Sequence, residues 1–221
     1  MWQLYQYPLC PFSRKVRIVC AEKGVRVELL REHPWERRDA FARLNAAGQT
    51  PVLVDGGLVL ADSGAIAEYL EETVDAVPLY GSGALERAEN RRLVAWCEGK
   101  FYSEVVVPLL AERMFKRIVT RQSPDAATLR AAARAAEGHF DYLDDLLDHR
   151  RWLSGVAFGI ADIAAASQVS VADYLGGIDW VGHEPMRQWY STIKSRPTFR
   201  PLLAERMEGL PPPLHYDKLD F

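Results

Sequence analysis

The chain has 221 residues, 48% of them apolar and 26% charged, with a formal net charge of −3. That length holds one large domain or two small ones of ordinary soluble composition, and the slight acidity argues against a nucleic-acid binder, which requires clustered basic charge. Three cysteines, Cys10, Cys20 and Cys97, cannot all pair, so a reducing compartment is expected.

The first residues lack the basic and apolar runs of a signal peptide, and no apolar run approaches the ~18 residues of a membrane span. A cytoplasmic protein without membrane insertion is expected. Trp2, Leu4 and Tyr5 predict a strand that Pro8 and Pro11 punctuate. From Pro11 a helix is predicted as far as Gly24, with proline in its first turn and Val16, Val19 and Cys20 on one face. A second strand, Val25 to Leu30, precedes a charged loop around His33-Pro34-Trp35-Glu36 and a short helix ending near Leu44 and Asn45. Thr50 to Val54, a turn at Asp55-Gly56-Gly57 and Leu58 to Leu60 read as a hairpin. Asp62-Ser63 then opens a helix through Ile66, Tyr69 and Leu70. This βαβ then ββα order suggests a small α/β unit of the thioredoxin kind.

Beyond residue 77 the pattern is helical. Leu93, Cys97, Phe101, Val105 and Leu109 recur every four residues, and Pro108 is expected to kink that helix. Leu129, Ala133, Ala136, Phe140, Leu143 and Leu147 predict the buried seam of a second long helix. Shorter helices are expected over about 160–176 and 185–195, with a stub after Pro201. The expected division is an α/β domain over 1–76, a linker over 77–83, an all-α domain over 84–208 and a proline-rich tail over 209–221.

Cys10 sits where a helix N-terminus and the basic Arg14 and Lys15 favour a thiolate. With Ser13 at the last position of a Cys-x-x-Cys arrangement, an intramolecular disulfide partner is absent. Cys10 is then a monothiol nucleophile, a thiol beside a thiolate ligand that Ser13 assists, or a small half-buried loop residue. Thr50-Pro51 before a strand suggests a tight turn with a cis peptide, which exposes the Thr50 backbone to an extended ligand, or a plain hairpin entry. Asp62-Ser63 is either an ordinary N-cap or a carboxylate site on free helix N–H groups. His33-Pro34-Trp35-Glu36 places tryptophan among Arg31, Glu32, Arg37 and Arg38, either packed on the domain edge or serving as an anchor for a partner. Pro211-Pro212-Pro213 favours a stiff extended segment leading to an acidic-aromatic end that docks on its own domain or on another protein.

The order of strand, Cys10-Pro11-Phe12-Ser13, helix, Gly48-Gln49-Thr50-Pro51-Val52-Leu53, Asp62-Ser63-Gly64-Ala65-Ile66 and a helical second half resembles the cytosolic glutathione transferases over essentially the whole chain. The resemblance implies a thioredoxin-like N-domain holding glutathione and an all-α C-domain forming a second-substrate pocket, in a homodimer. It implies Cys10 or Ser13 facing the glutathione sulfur with Phe12 alongside, Thr50 and Pro51 pairing the ligand backbone, and Asp62 and Ser63 holding its γ-glutamyl end. Phe158 to Asp162 resembles the family's helix-capping box, with Gly159 where Ser or Thr is usual. No metal or resident cofactor is implied; glutathione enters as ligand or cosubstrate.

The Trp35 loop and the tail, with Trp96, Lys100-Phe101-Tyr102 and the run from Trp189 to Leu203, resemble one branch of that superfamily, the FtsZ-localized protein A type of alphaproteobacteria. That likeness implies a non-catalytic adaptor that binds FtsZ at the division site through Trp35, Asp217, Leu219, Asp220 and Phe221. A glutathione-dependent transferase, with Cys10 and Ser13 catalytic, is the second reading. A small-molecule carrier lined by Tyr102, Arg113 and Met114 is a third.

Overall fold

The computed structural model describes residues 1–220; Phe221 lies outside the described residues. The chain forms two compact units, Met1–Leu79 and Tyr80–Phe221. In the first, β1 (Trp2–Gln6), α1 (Pro11–Glu22), β2 (Val27–Arg31), α2 (Asp39–Leu44), β3 (Val52–Asp55), β4 (Leu58–Ala61) and α3 (Ser63–Thr73) follow in order. The four strands lie in the order β2-β1-β3-β4. β1 runs parallel to β2, with Leu4 opposite Leu29, and antiparallel to β3, with Leu4 opposite Leu53. Leu4, Val16, Val19, Cys20, Val52, Leu53, Ile66 and Leu70 make the core, none more than 1% exposed. An ion pair between the buried Lys23 Nζ and the half-buried Glu71 Oε2, at 2.6 Å, joins the ends of α1 and α3.

β2 starts two residues later than predicted, and the end of α1 explains the delay. Gly24 adopts a φ of 68°, so the chain reverses there and the Val25 N–H returns to the Cys20 carbonyl at 2.8 Å. Val25 is thereby committed to closing α1, in the left-handed glycine stop that ends many helices.

In the second unit α4 (Ala84–Ala95) continues as helix to Thr120. Residues Trp96–Val106 and Leu110–Thr120 form wide turns on either side of α5 (Val107–Leu109). The Val107 N–H bonds to the Tyr102 carbonyl, five residues back, in place of the usual four. Backbone angles stay helical at Val106, Val107 and Leu109, so the helical path carries on past Pro108. α6 (Ala126–Leu147), α7 (Ile160–Tyr174), α8 (Glu184–Lys194) and α9 (Arg200–Leu203) complete the unit.

All 15 residues of α7 are buried, which makes it the central helix of the unit. Its alanines at 161, 164, 165, 166 and 172 keep it thin. Its serines turn inward on their own helix, Ser167 donating to the Ile163 carbonyl and Ser170 to that of Ser167. Leu93, Cys97, Phe101, Val105 and Leu109, which recur every four residues, are all buried. The α6 seam is corrected at one end: Ala133 is exposed, and the buried residues are Ala132, Ala136, His139, Phe140 and Leu143.

Candidate functional site

Within the first unit a cavity of about 220 Å³ is lined by Phe12, Asn45, Ala47, Gln49, Thr50, Pro51, Ala61, Asp62 and Ser63. Three local structures converge on it. The first is the start of α1, where Pro11 begins the helix and Cys10 is the N-cap. The second is the loop into β3, where Asn45 folds the chain by accepting from the Ala47 N–H and donating to the Gln49 carbonyl. That loop ends in a cis Thr50-Pro51 peptide. The third is the N-terminus of α3.

The Cys10 sulfur accepts the Ser13 N–H at 3.4 Å and donates to the Thr50 carbonyl at 3.4 Å. The thiol thus ties the first structure to the second. Cys10 is also the half-exposed cysteine of the three; Cys20 and Cys97 are buried. Burial pushes the Cys20 thiol up to about 12 and raises that of Cys97 as well, which leaves both inert at neutral pH. Ser13 is fully buried, its hydroxyl accepting from the Tyr7 N–H at 3.5 Å, and it is absent from the cavity lining. Arg14, also fully buried, donates through Nε to the Pro8 carbonyl at 2.7 Å and so braces the loop before Cys10.

At α3, Asp62 Oδ1 accepts from the N–H groups of Gly64 at 2.7 Å and Ala65 at 3.2 Å. Asp62 has φ 74° and ψ 130°, backbone that non-glycine residues adopt rarely and that recurs at ligand sites. The capping carboxylate takes two of the free N–H groups of the helix; the Ser63 N–H remains for an anionic ligand. The cavity therefore offers an N–H at a helix start, a polar cis-proline loop and a neighbouring thiol, an arrangement suited to a small peptide with a carboxylate end. Phe12, Thr50, Pro51, Asp62 and Ser63 all line it, Cys10 touches it through Thr50, and Ser13 stands apart. Asn45, Ala47, Gln49 and Ala61 were not anticipated, although the turn signal at Asn45 and Gly48 points to the loop that supplies three of them.

Trp35 is half-buried in the short turn Pro34–Glu36 of the same unit. Its ring meets Tyr7 edge-on at 4.9 Å and stacks on His33 at 5.1 Å. Tyr7 accepts the Cys10 N–H on its carbonyl, so Trp35 is packed against the loop that carries the cysteine. Arg38 clamps the base of the turn by pairing with the buried Glu32.

In the second unit the tail lies on its own helices. Tyr216 is fully buried, and Asp217, Leu219 and Asp220 are exposed. Asp217 pairs with Arg206, and the Leu219 carbonyl accepts from Ser191 Oγ. Phe221, the remaining member of the expected partner set, lies outside the described residues. Trp189, in contrast, is interior: its Nε1 donates to Asp162 at 2.8 Å. Asp162 also accepts the N–H groups of Leu153, Ser154 and Gly159, closing the capping box. The hydroxyl that Gly159 lacks is replaced by Ser154 Oγ, which accepts from the Ala161 and Asp162 N–H groups.

Comparison with known proteins gives a consistent picture. Residues 4–78 match the family profile described as glutathione S-transferase, N-terminal domain, and residues 126–191 match glutathione S-transferase, C-terminal domain. The chain is 43% identical to FtsZ-localized protein A of Caulobacter vibrioides, over 99% of this chain and 97% of that protein. The structure superposes on a glutathione S-transferase from Rhodospirillum rubrum F11 with a TM-score of 0.97 and 44% identity, covering 100% of both chains. It superposes on FzlA from C. crescentus with a TM-score of 0.96 and 42% identity, covering 100% of this chain and 99% of the other.

Proposed function

Because this chain belongs to the glutathione S-transferase superfamily, with a thioredoxin-like unit followed by a helical one, we propose that it uses that fold as a non-catalytic adaptor for FtsZ. The observation that carries the proposal is the likeness to FtsZ-localized protein A, which extends over 99% of the chain rather than over the glutathione-type half alone. In this reading the protein is a cytoplasmic homodimer that joins the division site. Its contact set is Trp35, Asp217, Leu219, Asp220 and Phe221, four of them carried by the tail over residues 209–221. The exposure of Asp217, Leu219 and Asp220 and the half-burial of Trp35 are compatible with that role. Co-sedimentation with polymerised FtsZ tests it. The intact protein is expected in the pellet, and both Trp35→Ala and a deletion of residues 214–221 are expected to reduce the pelleted fraction. Unchanged pelleting of both variants refutes the contact set, and failure of the intact protein to pellet refutes the adaptor.

A second reading, a glutathione-dependent transferase, is favoured by the cavity beside Cys10. A thiol bound there would be activated by lowering its pKa and by holding it close to an electrophile. Titration calorimetry with millimolar glutathione decides: binding heat that Ser63→Pro abolishes supports this reading, and absence of both heat and thermal shift removes it. The two readings are compatible, since a fold that keeps its ligand groove remains free to bind a filament elsewhere.

A further inference from the structure

One side chain ties down the end of the described chain. Lys194, in the last turn of α8, is fully buried. Its Nζ reaches two carbonyls of the tail, Lys218 O at 3.1 Å and His215 O at 3.4 Å. Successive turns bring these carbonyls together: the Tyr216 N–H bonds to the Pro213 carbonyl and the Lys218 N–H to that of His215. The ammonium also lies 3.7 Å from Asp173 Oδ2 and 4.8 Å from the centre of the Tyr190 ring. Asp173, on α7 and itself fully buried, accepts His215 Nε2 at 2.8 Å and Trp180 Nε1 at 3.2 Å on its other oxygen. One carboxylate of the central helix thus holds the tail twice, through an imidazole and through Lys194.

Burying an ammonium is costly, and an apolar side chain of similar size would fill the space more cheaply. What the charge adds is donors, and the His215 and Lys218 carbonyls that they meet belong to the tail. Desolvation pushes Lys194 down to about 8 against the opposing pull of Asp173, so it is still protonated at neutral pH. We propose that Lys194 is a positioning residue that fixes residues 215–219 on α8, so that Leu219 and Asp220 are presented from a held base rather than as part of a loose peptide. A held base lowers the ordering cost that a disordered segment meets when it binds. The recognition role of that end rests on the adaptor reading; its docking does not.

The test uses the purified full chain alone. Trypsin cleavage at the Lys218–Leu219 bond is read by mass as loss of the last three residues, and hydrogen exchange is followed at the Tyr216 and Lys218 amides. Lys194→Met is expected to raise both rates at least about tenfold, since bonds from a charged donor are lost, while amides within α7 and α8 keep their protection. Should Lys194→Met fail to fold because Asp173 loses its counter-charge, the double variant Asp173→Asn/Lys194→Met removes both charges, and the same loosening is expected. Unchanged tail rates in a folded variant overturn the proposal, as does a rise in α7 and α8 exchange equal to that of the tail. An intact protein whose tail amides already exchange like a free peptide overturns it too. A loosened tail with unchanged FtsZ pelleting supports the docking and removes the tail from the filament contact.

Discussion

Asp62 combines two functions in one residue, capping α3 and holding a backbone conformation with φ 74°. Glycine adopts that conformation freely but brings no carboxylate, whereas alanine brings neither freedom nor cap. Asp62→Gly is therefore expected to cost only a few tenths of a kcal/mol and Asp62→Ala about 1–2 kcal/mol, the usual order at an N-cap, which the positive φ reinforces, checked by urea unfolding. The sequence announces the cap, since Asp before an apolar-periodic run is a strong signal; the dihedral angle has no local signature. Asp162 shows the same limit. Its bond to Gly159 is legible three residues away, but the Leu153 and Trp189 N–H groups come from elsewhere in the fold. With four donors lost and left buried, Asp162→Ala is expected to destabilise the protein by about 3–5 kcal/mol in denaturant titration. For Cys10 the pairing that matters is with Thr50, 40 residues on, and nothing in the Cys10 stretch foretells it.

Among the elements, the helix from Ala84 to Thr120 holds a signal that was present and unread. Apolar residues at 93, 97, 101, 105 and 109 repeat every four, and on a regular α-helix four such steps drift about 160° around the axis. All five are nonetheless buried. The wide turns of Trp96–Val106 absorb the drift, so a strict period of four predicts an underwound helix. On α6 the misplacement at Ala133 has the opposite origin. Ala131, Ala132, Ala133, Ala135 and Ala136 are all small and apolar, and such a run does not identify its buried face. The polar seam residue His139 escaped notice because its burial depends on Trp96 Nε1 and Glu104, which meet its two ring nitrogens. After α7, Gly177 is pressed against Leu109 so closely that an added Cβ would lie 2.3 Å from a leucine methyl. Gly177→Ala is expected to cost about 1–3 kcal/mol by overpacking, read as a lower urea midpoint.

For the molecule as a whole, the order of strands and helices was legible because periodicity, turn residues and caps agree along the chain. The tail was not: triple proline and an acidic-aromatic end fit a docked segment and a projecting one equally well. The pH dependence of stability is a whole-molecule property that follows from the structure. Burial lowers the His139 pKa, against the raising pull of Glu104, so the folded protein binds fewer protons there than the unfolded chain. Stability from this group is fully present above the unfolded value of about 6.5 and declines as pH falls below it toward the folded pKa. Glu89, Glu104 and Glu112 are each held below their ordinary value of 4.5, chiefly by bonds from Arg92, Lys100 and Lys116, so their contribution is present above about pH 4.5 and is lost as pH falls below it. Urea midpoints are expected to fall from pH 7.5 to pH 5.5, and His139→Gln is expected to flatten that first step.

The grip of α8 on the last residues also bears on where a reporter belongs. A fluorescent protein joined to the tail would follow closely on Leu219, whose carbonyl is already bonded to Ser191, and on a backbone held by a buried ammonium. Met1 is 87% exposed, ahead of the first strand. A label ahead of β1 leaves those bonds untouched, whereas a label on the tail competes with them and is expected to speed hydrogen exchange at the Tyr216 and Lys218 amides.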